Sequence, residues 1–280
     1  MKSNKGLILG IIIFIISIIA IIIFLLNQGK SQKQVENDKK INQENINASP
    51  TPKKITDKPN TTPVTENPYV KLNPLSDGRN IEIIIANLKQ SATEVDYELE
   101  YQAGSLLQGA FGMIQLDTLP AKEKILFGSC SSGGRCTYHE NVKGGTLALK
   151  FRGETNSTFK TDWKYIDNLK KETEFSSQDG KFQITSDALK TNRFFTIYNT
   201  PGYPVNQNYN VVSEIYNLSV VANNKDKAQL TIRANTEGEL KIVGYDGANF
   251  KEYETKVDGK MASAEVDLME LYFVSTLIKQ

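Results

Sequence analysis

The first strong pattern along the chain is an uninterrupted apolar run from Leu7 to Leu26, which contains no charged residue. A helix of about 20 residues rises roughly 30 Å, the thickness of the hydrocarbon core of a bilayer. The run therefore predicts a single transmembrane anchor. A short cytoplasmic segment at residues 1–6 would precede it.

Two other roles for this run fit the sequence less well. A cleaved signal peptide has a shorter apolar region and small residues at its cleavage site, whereas residues 27–30, NQGK, offer no Ala-x-Ala pattern. Lys5-Gly6 resembles the cleavage site of type IV prepilins, but Ile11 stands where that family carries a glutamate. We therefore interpret the run as an uncleaved anchor.

The orientation of the anchor follows from two opposing arguments. More lysines follow the run than precede it, so the positive-inside rule alone favours a cytoplasmic C-terminal part. However, long segments translocate largely regardless of their charge, and residues 1–6 cannot hold a domain. We predict a cytoplasmic N-terminus and extracytoplasmic C-terminal domains.

Residues 27–76 show no apolar periodicity and are rich in Pro, Asn, Thr and Lys. Such a segment cannot bury enough apolar surface to offset its conformational entropy, so it is predicted to be a disordered linker. Proline extends the chain locally, and the linker would hold a folded module away from the membrane.

The rest of the chain consists of short alternating or apolar segments separated by turn signals. Residues 94–102, EVDYELEYQ, alternate between apolar and polar positions, as a half-buried strand does. Strands at this spacing, without an amphipathic helix pattern, predict an all-β fold of two tandem immunoglobulin-like β-sandwich domains. The most polar gap, at 172–180, divides them into 77–175 and 176–280. Trp163 is the single tryptophan and is predicted to be a buried anchor.

Charge and cysteine content narrow the partners. The chain carries 33 basic and 32 acidic residues, a net charge of +1, so no basic field attracts nucleic acid. The two cysteines, Cys130 and Cys136, frame the loop CSSGGRC, and outside the membrane they predict a disulfide that shapes an exposed loop. The alternatives are two free thiols, or a metal site that adds His139 and Glu140 at a spacing that matches no zinc motif.

His139 is the only histidine, so any Ser–His or Cys–His nucleophilic system would depend on it. No nucleophile elbow, phosphate-binding glycine loop, calcium loop or zinc helix accompanies it. We predict no catalytic residue, no metal and no cofactor. The candidate binding residues lie in predicted loops: Arg135, Tyr138 and His139 close to the cysteines, and Tyr203 in the loop NTPGYPV.

The C-terminal part is similar to a known family of modules. Residues 242–253, IVGYDGANFKEY, are followed by VDGKMASAEV at 257–266 and by the aromatic strand LYFV at 271–274. These motifs resemble the closing hairpins of immunoglobulin-like β-sandwich modules of bacterial surface proteins. Phe250 stands where Trp is common in those modules. The resemblance implies an adhesive or structural role without a cofactor.

These patterns predict a single-pass protein of a bacterial cell membrane with a non-catalytic binding, adhesive or structural role at the cell surface. Its predicted partners are the membrane, through Leu7–Leu26, and a surface protein or polysaccharide. Two alternatives remain open. One is an accessory or degradative enzyme module that acts on a cell-wall polymer, and the other is a scaffold for an envelope complex.

Overall fold

A computed structural model of the chain describes residues 54–59, 62–204, 209–221 and 226–276. The predicted anchor and most of the predicted linker lie outside these residues. None of the helices in the described ranges is long and apolar enough to cross a membrane. The predictions of an anchor and of its orientation therefore stay predictions.

The described part of the chain is all-β, as predicted. Its only helical segments are two 3₁₀ turns, at Val64–Glu66 and Asp187–Thr191. The strands are β1 Tyr69–Pro74, β2 Asn80–Asn87, β3 Glu94–Ala103, β4 Leu106–Gln115, β5 Ala121–Leu126, β6 Gly128–Cys130, β7 Cys136–Tyr138, β8 Val142–Arg152, β9 Ser157–Asp167, β10 Glu174–Ser176, β11 Phe182–Thr185, β12 Phe194–Thr200, β13 Asn210–Val211, β14 Ile215–Leu218, β15 Lys227–Arg233, β16 Leu240–Tyr245, β17 Phe250–Tyr253, β18 Lys256–Asp258, β19 Met261–Asp267 and β20 Leu271–Thr276.

One large antiparallel sheet organises the structure. Its strand order is β17-β16-β20-β14-β12-β9-β8-β3-β4, and β13 pairs with β20. A three-stranded sheet, β1-β2-β5, and a five-stranded sheet, β10-β11-β15-β19-β18, pack against it. The short hairpin β6-β7 forms a separate two-stranded sheet.

The two smaller sheets cover opposite faces of the large sheet. Tyr165 and Tyr198 belong to the core under β1-β2-β5, whereas their chain neighbours Ile166 and Ile197 belong to the core under the five-stranded sheet. Successive residues of a strand point to opposite faces, so β9 and β12 contribute to both cores. The result is two sandwich-like packings that share a middle layer. Trp163 lies in the first core and is fully buried.

The large sheet runs without interruption past the predicted domain boundary. Residues 175 and 176 lie inside β10, and β9 pairs with β12, with Trp163 opposite Tyr198. The described residues between 54 and 276 belong to one compact unit. The polar gap at 172–180 thus contains β10, the edge strand of the five-stranded sheet, and the turn that leads to β11.

The folded part begins earlier than the predicted domain start at residue 77. The strand β1 lies within the predicted linker, and it buries Val70 and Leu72 completely. Its backbone is also tied to β12, because the Val70 N–H donates to Oγ1 of Thr200 at 3.2 Å and the hydroxyl of Thr196 donates to the carbonyl of Leu72. The predicted linker is therefore shorter at its C-terminal end.

A carboxylate joins the five-stranded sheet to the large sheet. Asp267 at the end of β19 forms ion pairs with Lys227 of β15 and Lys251 of β17, and it accepts a hydrogen bond from the Tyr253 hydroxyl at 3.1 Å. Burial acts to raise the pKa of Asp267, but these three donors outweigh it and hold the pKa at about 2.

The shared large sheet generates the first testable prediction. Deletion of the chain after residue 175 removes β12 from the edge of β9 and Tyr198 from the packing around Trp163. We expect the truncated chain to lose its native fold, which red-shifted emission from the single tryptophan would report. The chain through residue 280 is the control. Blue-shifted emission and a cooperative melt of the truncated chain would instead support two independent domains.

The second prediction concerns pH. Because the folded-state pKa of Asp267 is depressed, its contribution to stability is present above the ordinary value of 3.8 and is lost as the pH falls toward 2. We expect Asp267→Asn to be less stable than wild type at pH 6, and the difference to shrink at pH 2 by on the order of 1 kcal/mol after solvent screening. Urea unfolding at both pH values measures this difference. Glu265→Gln, which changes an exposed carboxylate of β19, is the control, and a pH-independent difference for Asp267→Asn would contradict the prediction.

Candidate functional site

The predicted disulfide is present and closes a tight hairpin. Cys130 at the end of β6 is bonded to Cys136 at the start of β7, with 4.0 Å between their Cα atoms. Inside the loop the Ser131 N–H donates to the Arg135 carbonyl at 2.9 Å. Gly134 adopts a φ of +76°, which a residue with a side chain rarely adopts, so the glycine permits this turn.

The base of the hairpin is attached to the first core through His139. Its backbone N–H donates to the Phe127 carbonyl at 2.9 Å, and its Nδ1 lies 2.9 Å from the Tyr101 hydroxyl. The preceding residue, Tyr138, stays exposed, and the Arg79 guanidinium lies 4.2 Å from the centre of its ring. The hairpin therefore presents an aromatic side chain in a fixed position.

An open groove of about 920 Å³ lies beside the base of the hairpin. This volume falls within the range of known ligand sites. Four segments line the groove: the turn before β2, the start of β8 with the residues that precede it, the end of β9 with the loop that follows it, and the start of β12 with the residue before it. The lining residues are 77–79, 138–143, 165, 167–170, 172, 193 and 194.

One wall of the groove is a turn built on Asp77. Its carboxylate accepts hydrogen bonds from the backbone N–H groups of Arg79 and Asn80 at 2.8 and 3.0 Å. Burial acts to raise the pKa of Asp77, but these hydrogen bonds and one from the Asn80 side chain lower it below its ordinary value. Gly78 is needed here, since its φ is +65° and a Cβ atom would lie 2.4 Å from the Phe194 ring.

The floor of the groove is the paired ends of β9 and β12. Phe194 lies opposite Asp167 in the sheet, and Arg193 forms an ion pair with Asp167 while its guanidinium lies 5.0 Å from the Phe194 ring centre. The Phe194 ring stacks on Tyr165 at 6.1 Å. Burial, with the charge of Asp167 second, raises the pKa of Tyr165, so this phenol stays neutral at physiological pH.

The groove contains equal numbers of positive and negative side chains, but most of them do not form ion pairs with one another. Its lining contains four cationic side chains and four carboxylates. Arg193 is paired with Asp167, and Asp77 is hydrogen-bonded within its own turn. Within the described part of the chain, Arg79, Lys143 and Lys170 form no ion pair, and neither do the carboxylates Glu140 and Glu172. The groove therefore offers charges of both signs and an exposed tyrosine to a ligand. The described ranges contain no group of three or more His, Cys, Asp or Glu residues placed to hold a metal ion.

The structure brings some of the predicted site residues together and separates others. Tyr138 and His139 line the groove, and Arg135 is exposed at the tip of the hairpin. Tyr203 lies elsewhere: its side chain is only 2% exposed and packs against Phe273, with ring centres 5.4 Å apart. Tyr203 and Phe273 belong to a third cluster of buried apolar residues, separate from the two cores described above. The Tyr203 ring is therefore part of the core and not of an open binding loop.

Sequence reasoning did not find the cationic residues of the groove. Arg79 follows the Asp-Gly turn, Lys143 lies in β8, and Lys170 lies in the loop after β9. The only local signal was Asp77-Gly78-Arg79, which is typical of a turn and not of a ligand site. Their proximity depends on the pairing of strands that are distant in the sequence.

The chain matches no protein-family model, no curated protein and no solved structure.

The disulfide generates a third prediction. Replacing both cysteines, Cys130→Ser with Cys136→Ser, reopens a short loop, and in the chain-entropy model this costs about 2 kcal/mol of unfolding free energy. Urea unfolding measures the loss, and wild-type protein under strong reductant should behave like the double variant. A double variant as stable as the oxidised wild type would contradict the prediction.

Proposed function

We propose that this protein is a membrane-anchored, extracytoplasmic β-sandwich protein that binds a surface protein or a polysaccharide without catalysing a reaction. Its single-pass anchor is Leu7–Leu26, with the N-terminus in the cytoplasm. Its binding site is the groove beside the disulfide hairpin. The observation that carries this proposal is an open groove in which Arg79, Lys143 and Lys170, which have no ion-pair partner among the described residues, lie next to the exposed Tyr138.

Rigidity of the site supports a binding role. The floor of the groove is formed by two paired strands of the large sheet, and one wall is fixed by the hydrogen bonds of Asp77. A disulfide constrains the hairpin above it. Pre-ordered walls reduce the entropy that a ligand must overcome when it binds.

The order of the last strands supports the proposed likeness to immunoglobulin-like surface modules. The hairpin β16-β17 is followed by the hairpin β18-β19 and by the aromatic strand β20, which is the sequence of elements that the resemblance implies. Gly259 at the second turn has a φ of +56°, as its Asp-Gly motif indicates. This likeness favours an adhesive or structural role.

The degradative alternative stays in view because His139 and several carboxylates line the same groove. General acid–base catalysis needs a free, well-placed proton donor or acceptor. The Nδ1 atom of His139 lies within hydrogen-bond distance of Tyr101, which leaves Nε2 for proton transfer, and Asp167 is paired with Arg193. Within the described residues, no hydrogen bond or ion pair joins His139 to a carboxylate of the groove, and this favours the binding role.

A binding assay provides the fourth prediction. It measures the binding of purified peptidoglycan, alginate and an acidic polypeptide to the immobilised full chain. The triple variant Arg79→Gln, Lys143→Gln, Lys170→Gln removes the unpaired cations. We expect it to weaken binding of at least one probe tenfold or more, or about 1.4 kcal/mol.

The control variant removes three cations that do not line the groove: Arg233→Gln, Lys241→Gln and Lys256→Gln. It should bind as wild type does. No binding of any probe, or equal losses in both triple variants, would contradict the groove as the site. Breakdown of peptidoglycan that disappears in His139→Ala would support the degradative alternative instead.

A further inference from the structure

The strand β4 leaves one side of the large sheet unpaired. It is the last strand in the order of that sheet, and no described strand pairs with its outer edge. Ala103 and Leu106 close the two-residue turn between β3 and β4, and the Leu116 N–H donates to the Thr93 carbonyl. In this register the even-numbered residues of β4 exchange hydrogen bonds with β3. The backbone groups of the odd-numbered residues therefore point outward.

The odd-numbered residues of β4 also carry an apolar surface. The side chains of Leu107, Phe111 and Met113 are 67%, 56% and 49% exposed. They lie on one face, because residues at intervals of two share a face of a strand. This face is opposite the one that contributes Ile114 to the first core.

The other edges of the three larger sheets are protected by charge. Sheets avoid unwanted pairing by placing charged residues, especially lysine, on edge strands. Apart from the two-residue strand β13, each of the remaining edge strands has at least one: β1 has Lys71, β5 has Lys122, β10 has Glu174, β17 has Lys251 and β18 has Lys256. The sequence of β4, LLQGAFGMIQ, has none.

We propose that β4 is the interface with a second copy of this chain, formed by antiparallel pairing of the two β4 strands around a twofold axis at Ala110. This register places Leu107 opposite Met113 and Gly109 opposite Phe111 of the other copy. All four are odd-numbered, so each pair joins backbone groups that point outward. A continuous sheet would then run through both copies.

In this register the side chains of β4 are complementary to those of a second β4 strand, as a twofold interface requires. Gly109 has no side chain, so it leaves room for the Phe111 ring of the other copy. Leu107 and Met113 form an apolar cross-strand pair. A register centred on Phe111 would instead place Leu107 opposite Gln115. Neither paired strand carries a charge, and the nearest carboxylates on this face, such as Glu98 opposite Phe111, lie on β3, one strand away from the other copy.

A single strand pair is a small interface, so the expected dissociation constant is on the order of 10 µM. Sedimentation velocity of the full chain in mild detergent, at about 1 to 100 µM, measures this equilibrium. Phe111→Lys places a charge in the centre of the interface and should weaken association at least tenfold. The control is Val221→Lys, because Val221 is 88% exposed and lies outside β4.

Cross-linking tests the register itself. Around the proposed axis the two Ala110 Cα atoms form a non-hydrogen-bonded pair about 4.5 Å apart, within the range for a disulfide. Ala110→Cys should give an oxidised dimer at least ten times more abundant than Gln108→Cys, whose two copies lie roughly 13 Å apart along the strands. The native disulfide Cys130–Cys136 leaves no other thiol in the chain.

Three results would overturn the proposal: a monomer across the whole concentration range, equal association of wild type and Phe111→Lys, or equal cross-linking at positions 108 and 110. A monomer that binds an added extended peptide along β4 would replace the second copy with another occupant. Circular dichroism and the intact native disulfide check that each variant is folded. None of these results depends on a ligand in the groove.

Discussion

The structure depends on the burial of β12 on both faces. Six of its seven residues are buried, and alternate residues belong to different cores. Its apolar residues, Phe194, Phe195, Ile197 and Tyr198, pack into the two cores, whereas the buried hydroxyls of Thr196 and Thr200 are hydrogen-bonded to β1. Because β12 pairs with β9 and β14, it also joins the two halves of the large sheet. Loss of β12 would expose both cores together.

The candidate site lies at the paired ends of β9 and β12, the strands that contribute to both cores. Asp167 ends β9, Phe194 begins β12, and the two residues are paired. The side chains that form the floor of the groove are therefore held by strands packed from both sides. The loops around the groove can differ in sequence without moving that floor. This arrangement, variable loops on a rigid sheet, is common among binding proteins.

Much of the local structure was readable from the sequence, whereas the long-range arrangement was not. The alternation at 94–102 gives β3, and the glycines between Cys130 and Cys136 give the hairpin. The polar gap at 172–180 resembles a domain boundary because a short edge strand and its turns are polar whether or not the large sheet continues past them. Tyr203 is buried against Phe273 of β20, which is distant in the sequence, so no local pattern could show that Tyr203 is buried. The proximity of Arg79 to the end of β9 could not be predicted for the same reason, since these residues are also distant in the sequence.

The two surfaces that we assign have different chemistry and share no residue. The groove is polar and charged, whereas the outer edge of β4 is apolar and uncharged. Pairing of two copies through β4 would therefore leave both grooves open. If the groove binds a repetitive polymer, as we propose, two such sites in one dimer bind it more tightly than either site alone, because the second contact is intramolecular. Under the two proposals together, the β4 interface therefore strengthens attachment without any new contact in the groove.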